Sequence, residues 1–333
     1  MLCICLKNTD PYFCLAAEEY FLKNYGEKIF MLWQSDNTVV VGKHQNALAE
    51  INYRYTLNNN IKIARRISGG GTVFHDSGNV NFAYIKNVDN TSEINFNRFT
   101  GGIIHSLSKL QIDATSSGRS DLLIRGKKIS GNAEHIYKNR VLHHGTLLFN
   151  SNLATLGAAL NPDSRGHYQD KAVKSRKSEV TNIYPFLNNN WSVYDFIEFL
   201  SGENLKSPGS SRYLLTGKDQ SEISALAANK FRTWEWNFGY SPKYIFINSI
   251  KLNGRELNIR LNVVKGVIKE ASVTGNYFSD NDSNILSGEL QYKRHIYEDI
   301  KNSLQKINTG KKSVKSIDYT PDKSLEEKIY AFF

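Results

Sequence analysis

No stretch restricts the fold of this chain more than residues 65–81, RRISGGGTVFHDSGNVN, a polar, glycine-rich segment between two strand-like ones. Gly69, Gly70 and Gly71 free the backbone to take positive φ and to present successive N–H groups to an anion, because no Cβ blocks close approach. Such a turn can cradle a carboxylate or a phosphate. Arg65 and Arg66 precede it directly, and a guanidinium offers planar, paired donors to the same oxyanions. A tight hairpin with solvent-facing arginines would have the same glycine content. His75, Asn79 and Asn81, polar residues in an otherwise apolar strand pattern, weigh against it.

At 333 residues the chain exceeds one average domain, so two cores are expected. Hydrophobic residues make up 40% of it, and no apolar run approaches the about 18 residues that would span a bilayer, so no membrane partner is expected. The opening MLCICLKNTDPYF has no basic leader or small-residue cleavage pattern, which points to the cytoplasm and leaves an organelle matrix open. Cys3, Cys5 and Cys14 are an odd set without framework spacing, as suits a reducing compartment. With 42 basic and 32 acidic residues the net charge is +10, which favours acidic partners. The basic residues are scattered and no aromatic-basic motif of an RNA-binding sheet occurs, so nucleic acid is not expected. An acidic protein or a phosphorylated small molecule fits equally.

Residues 1–8 read as a first strand, and Asp10-Pro11 as the cap and first residue of a helix whose stripe is Phe13, Ala16, Ala17, Tyr20 and Phe21. Residues 29–34 and 38–42 read as a hairpin around Ser35-Asp36-Asn37. A loop and short helix follow, then strands at 61–66 and 79–85 on either side of the glycine turn. Helical periodicity over 95–110 precedes a meander of 121–126, 127–137 and 141–150. Residues 161–177, with Arg165, Lys171, Lys174, Arg176 and Lys177, are expected to form a mobile cationic loop. Helices at 191–200 and 221–231 close the first half, with a domain boundary near 242–246. Beyond it Leu257, Ile259, Leu261 and Val263 alternate into a hairpin turning at Lys265-Gly266, followed by helical stretches near 290–306 and 323–333.

Lys127 and Lys128 open a period-2 segment, where neighbours point to opposite faces, so one can enter a pocket while the other stays in water. At this point the motifs RRISGGGTVFHDSGN, GKKISGNA and HHGTLLFN, with WQSDNTVVVGKHQNALAEIN before them and NPDSRGHYQDKAVKSRKSEVTNI after, resemble in order and separation those of the lipoate-protein ligases. The resemblance covers residues 10–185 at motif level, and the remainder resembles the accessory domain of the long ligases. It implies an α+β fold with mixed, largely antiparallel sheets flanked by helices, of the biotin/lipoate ligase type, over residues 1–245. A small α+β accessory domain over 246–333 is implied as well.

The resemblance also implies a two-step reaction. Lipoate and magnesium-bound ATP give lipoyl-AMP and pyrophosphate, and a lysine of a lipoyl domain then attacks the mixed anhydride. A carboxylate resists nucleophiles until it is turned into an acyl phosphate, so the protein's work is positioning and charge stabilisation. Matched to the family's motifs, Lys128 is the pocket lysine, reaching lipoyl carbonyl and phosphate. Arg66, Gly71, Thr72, Val73 and Phe74 match the residues beside ATP and lipoyl-AMP, and Ser68, Gly69 and Gly70, with Lys128, those beside lipoate. Asp76 and Asp121 are magnesium or ribose partners on this reading, with no tightly bound metal. The loop 161–180 matches the segment that covers the adenylate. The implied acceptors are acidic lipoyl domains of 2-oxoacid dehydrogenase and glycine cleavage complexes. Ser120 departs from the family, which more often has Asn there.

His143 and His144 are strand neighbours facing opposite sides, and neither CxxC nor HExxH spacing supports a metal for them or for His75. An acyl transferase of the same fold, working through a cysteine thioester, is disfavoured because no cysteine follows residue 14. A non-catalytic module that binds lipoate or nucleotide remains as the alternative, against which stand Lys128 and the intact glycine turn. A biotin ligase is more distant, since no GRGRxG pattern occurs.

Overall fold

Asp10 accepts the Phe13 N–H at 3.0 Å and Pro11 occupies the first helical position, so helix α1 (Pro11–Asn24) starts where the cap signal puts it. In the computed structural model residues 1–88, 96–118, 120–162, 166–308 and 323–333 are described. Helix α1 lies between strands β1 (Leu2–Cys5) and β2 (Ile29–Trp33). Next come β3 (Thr38–Val41), α2 (Tyr53–Asn58) and β4 (Lys62–Arg65), which lead into the glycine turn; β5 (Val73–His75) and β6 (Asn79–Asn87) leave it. Helix α3 (Phe96–Lys109) precedes β7 (Ala114–Ser116), β8 (Asp121–Ile124), β9 (Lys127–Tyr137) and β10 (Arg140–Leu148). After α4 (Leu153–Ala159) come β11 (Gly166–Asp170), α5 (Val193–Leu205), β12 (Ser211–Arg212) and α6 (Gly217–Leu226). The chain ends with β13 (Tyr244–Leu252), β14 (Arg255–Val264), β15 (Val267–Thr274), α7 (Asp280–Leu290), α8 (Tyr297–Asn308) and α9 (Lys323–Tyr330).

Three sheets form. The large one has the order β12-β1-β2-β6-β10-β9-β8-β7, parallel only among β12, β1 and β2. A small one, β4-β3-β5, carries the glycine turn, and a third, β11-β13-β14-β15, is antiparallel throughout. This is the expected mixed, largely antiparallel α+β architecture. Helix α1 covers one face of the large sheet over Met31, Ala83 and Leu142, while α3 and α5 cover the other over Phe30, Phe82 and Leu147. No helix among the described residues is long and apolar enough to cross a membrane.

Two expectations are corrected. β2 and β3 are not a hairpin, because β2 pairs with β1 and β6 while β3 joins β4 and β5. Both strands are buried on both faces, so each needs two neighbours and the short 35–37 link carries the chain from one sheet to the next. The segment 161–177 is not simply a loop: β11 pairs with β13, with Tyr168 packed on Tyr244 and Phe246 at 5.6 and 5.0 Å between ring centroids. Arg165 lies outside the described residues. Phe246, Leu261, Leu290 and Phe332, beyond residue 245, pack in one cluster with Val39, Val41, Ile63 and Phe74 of the small sheet.

Candidate active site

Strand register builds a straight row of residues across five strands of the large sheet. Trp33 on β2 stands opposite Asn81 on β6, and Asn81 opposite Thr146 on β10. Thr146 takes the Gly131 N–H of β9 at 3.3 Å, and Gly131 stands opposite Asp121 on β8. At about 4.8 Å per strand the row is about 19 Å long. It is the floor of a cavity of ≈ 730 Å³ that also meets Leu15 and Glu18 of α1, Val40 of β3, the turn Gly70–Val73 and residues 173–178.

Lys128 lines the Asp121 end, with Nζ 3.0 Å from an Asp121 carboxylate oxygen. Its neighbour Lys127 is exposed and pairs with Glu179 at 2.6 Å, so the two lysines separate as strand periodicity requires. Gly131 lets Lys128 fold back along β9, because a Cβ there would meet Lys128 Cε and Nζ at 3.0 Å. Lys174, Arg176 and Lys177 also line the cavity, so with Lys128 it has four basic side chains besides Arg66.

Arg66 is 6% exposed and sits within the glycine turn rather than reaching out of it. Its Nε donates to Ser68 Oγ and Gly69 O at 3.0 and 3.1 Å, and its NH2 to Gly69 O and Gly71 O at 2.5 and 2.7 Å. Gly70 has φ +83°, as the turn requires. Burial pulls the Arg66 guanidinium down to about 10 and Glu18 draws it partly back up, so it stays charged at neutral pH and places a positive charge at the turn. Arg65 departs from the oxyanion-donor expectation: it is fully buried and donates to Gly42 O, Gln45 O, Trp236 O, Asn237 O and Ser241 Oγ, tying β4 to the segments 42–45 and 236–241.

The alternation of β5 divides the expected adenylate segment. Val73 and His75 line the cavity, whereas Phe74, 1% exposed, turns into the core shared with the C-terminal sheet. Phe74 therefore does not line this cavity. Gly71 and Thr72 line it together with Gly70, while Ser68 and Gly69 support it through Arg66 and His144. Asp76 is also displaced from its expected role: its carboxylate oxygens accept the N–H groups of Gly78 and Asn152 at 2.9 and 2.7 Å, holding the β5–β6 connection. Asp121 lines the cavity beside Lys128. Among the described residues no group of three or more His, Cys, Asp or Glu is placed to hold a metal ion.

Sequence reasoning missed a buried chain of polar groups at the other end. Trp33 Nε1 donates to Glu18 Oε1 at 3.0 Å, Glu18 Oε2 meets His144 Nδ1 at 2.7 Å, and His144 Nε2 meets Ser68 Oγ at 2.6 Å. Ser68 closes the chain onto Arg66, so the Glu18 carboxyl and the Arg66 guanidinium are joined through His144 and Ser68. His143 faces the opposite side, stacked on Phe99 and 2.9 Å from Glu134. None of the three cysteines lines the cavity, and burial pushes their thiols up.

Residues 173–178 are fastened over the opening. Ser175 Oγ accepts the Thr72 N–H at 2.9 Å and a Gln45 amide N–H at 3.1 Å, and its own N–H donates to Glu50. Further on, Lys128 N–H donates to Glu179 O and Thr181 N–H to Lys128 O, binding the segment to the edge of β9.

The chain is similar to known proteins along nearly its whole length. A family model described as the lipoyl protein ligase A/B catalytic domain matches residues 10–203, and one described as the bacterial lipoate protein ligase C-terminus matches residues 241–320. Both parts of the chain are thus of the lipoyl ligase class. Lipoate--protein ligase 1 of Staphylococcus aureus is 37% identical over 302 residues, covering 90% of this chain and 92% of that protein. The chain belongs to the lipoate-protein ligase family. LipL1 of P. falciparum, solved in complex with lipoate, aligns over 99% of this chain and 98% of its own with TM-score 0.61 and 25% identity. A lipoate-protein ligase A bound with ATP aligns over 72% of this chain and 98% of its own, also at TM-score 0.61 and 25% identity. From a structural analysis of a bi-partite lipoate protein ligase and its E2 lipoyl domain from Thermoplasma acidophilum, one chain aligns at TM-score 0.61 and 26% identity, over 72% of this chain and 96% of its own.

Proposed function

We propose that this chain activates lipoate with ATP as lipoyl-AMP, releasing pyrophosphate, and transfers the lipoyl group to a lysine of a lipoyl domain. The observation that carries the reading is the asymmetry of the cavity: a long slot whose Trp33 end is lined by groups already engaged with one another, from Trp33 through Glu18, His144 and Ser68 to Arg66, and whose other end holds Lys128, with a glycine turn above. An acyl chain suits the slot and phosphates suit the Lys128 end. The lipoate carboxylate then attacks the α-phosphorus beside Lys128, and pyrophosphate leaves. In the second step the acceptor amine attacks the acyl carbon, AMP leaves, and the amine's proton goes to solvent.

Lys128 steadies charge on carbonyl and phosphate oxygens as it shifts between them. Gly70, Gly71, Thr72 and Val73 form the wall beside the adenylate, with the Arg66 charge at the turn; Ser68 and Gly69 hold that wall. Asp121 exchanges its Lys128 contact for the ribose or for magnesium arriving with ATP, which keeps much of its water and needs one or two carboxylates. Residues 1–245 carry the chemistry and 246–333 assist it. The acceptors are acidic lipoyl domains of 2-oxoacid dehydrogenase and glycine cleavage complexes, matched to a net charge of +10.

The test is lipoate-dependent exchange of pyrophosphate into ATP by the purified protein without an acceptor. Exchange is expected, and Lys128→Ala should abolish it while circular dichroism remains unchanged. Unaltered exchange in folded Lys128→Ala would sink the assignment, and Lys127→Ala should change little.

A further inference from the structure

At the Trp33 end of the cavity two hydrogen-bonding groups have no match. His75 is 3% exposed and lines the cavity, yet neither Nδ1 nor Nε2 has a partner among the described residues. Asn81 is equally buried, and its Oδ1 takes Asn79 Nδ2 at 3.0 Å, which leaves Asn81 Nδ2 as an unmatched donor. The neighbouring groups are already engaged, Trp33 Nε1 with Glu18 and Glu18 with His144. The His75 ring stands edge-on to Trp33 at 5.4 Å.

If the carboxylate end of the substrate lies at Lys128, the tip of its acyl chain comes to rest here, and a role for these two groups in substrate choice depends on the ligase reading. We propose that His75 and Asn81 make the site selective for an acyl tip bearing polarisable hydrogen-bond-accepting atoms, a disulfide ring, over an alkyl tip of the same size. An alkyl tip displaces water from both groups and offers nothing in return, and a buried donor left without a partner is costly. Sulfur accepts weakly, and it also makes favourable contacts at aromatic edges such as those of Trp33 and His75. Burial holds His75 neutral, with its pKa pulled down to about 3 and Arg66 and His144 acting in the same direction. It therefore presents one N–H and one lone pair, which suits a weak acceptor better than an imidazolium would.

The experiment compares three acids as substrates for pyrophosphate exchange by the full chain: lipoate, octanoate and 5-cyclopentylpentanoate, which has the ring without sulfur. The wild type should favour lipoate over the carbocycle in kcat/KM by about tenfold, the worth of one met hydrogen bond in a buried site. His75→Phe, which keeps a ring against Trp33, should bring the ratio near one, and His75→Gln should retain it. Asn81→Val gives a second reading, with the same loss expected. Equal use of lipoate and the carbocycle by the wild type, whatever the variants do, overturns the inference. So does an unchanged ratio in folded His75→Phe. Exchange with none of the three acids would overturn the ligase reading itself, a result distinct from equal use.

Discussion

Lys127 and Lys128 are adjacent in the chain and end in different worlds, one in water against Glu179 and one in the cavity against Asp121. That separation was legible from period-2 geometry alone, as was the N-cap at Asp10. The polar chain from Glu18 to Arg66 was not. Glu18 and His144 are 126 positions apart and Ser68 and His144 76 apart, so only the packing of α1 and of the glycine turn against the large sheet brings them together, and no local pattern records it. The same holds for Asp219, which is 2% exposed and accepts the hydroxyls of Tyr20, Tyr25 and Tyr213 at 2.7–2.8 Å while capping α6. Burial pushes its carboxyl up, but the hydrogen bonds from Tyr25, the Thr216 N–H and Tyr213 outweigh that and hold it far below the ordinary range. A depressed native pKa stabilises the fold fully above the unfolded value of about 3.9, and that contribution fades as pH falls below it. Urea titrations should therefore show Asp219→Asn closing its stability gap to wild type as pH drops from 6 toward about 3. A gap that stays constant over that range would remove the carboxylate from the account.

Among the elements, the cationic segment departs furthest from its sequence pattern. Its composition suggested a free loop, because lysines and arginines with few aliphatics leave little to bury. Only its short alternation around Tyr168 hinted at β11, and the fastening through Ser175 depends on Gln45, Glu50 and Thr72, all remote in sequence. The meander β8-β9-β10 was readable because its connections are short and local, whereas β2 and β3 were misread because a short link can join two sheets as easily as two paired strands. Ser175 holds the Thr72 N–H, a donor that the glycine turn would offer to an anion. Lipoyl-AMP should then compete with Ser175 while recruiting Lys174, Arg176 and Lys177 by charge. Ser175→Ala should raise the rate of trypsin cleavage between 171 and 178 in the free protein by about fivefold, the equivalent of one ordinary hydrogen bond. Bound lipoyl-AMP should protect wild type and variant alike. Equal cleavage of the two free proteins would show that Ser175 fastens nothing.

At the scale of the whole molecule, the small sheet β4-β3-β5 is a partition. Val40, Val73 and His75 face the cavity, and Val39, Val41, Ile63 and Phe74 face a core completed by Phe246, Leu257, Leu261 and the helices beyond. Residues after 245 therefore back the wall of the site as well as lying beside it. Cutting the chain after Lys243 would remove β13, the partner of β11, and expose the outer face of the partition, so such a truncation confounds loss of fold with loss of function. Leu261→Ala in the full chain avoids this. Leu261 is fully buried and touches no part of the cavity, and its truncation should lower stability by about 2–5 kcal/mol through lost burial and a residual void. Packed interiors transmit such defects because neighbouring side chains have few alternative positions. With the protein kept well below its unfolding midpoint, KM for lipoate in pyrophosphate exchange should rise severalfold, since the loosened wall carries Val40, Val73 and His75. Transfer from lipoyl-AMP supplied ready made should fall less, because the adenylate fastens the turn through its own contacts. A lower unfolding midpoint with an unchanged KM would mean that the partition isolates the site from the C-terminal core, and the buttressing role would fail.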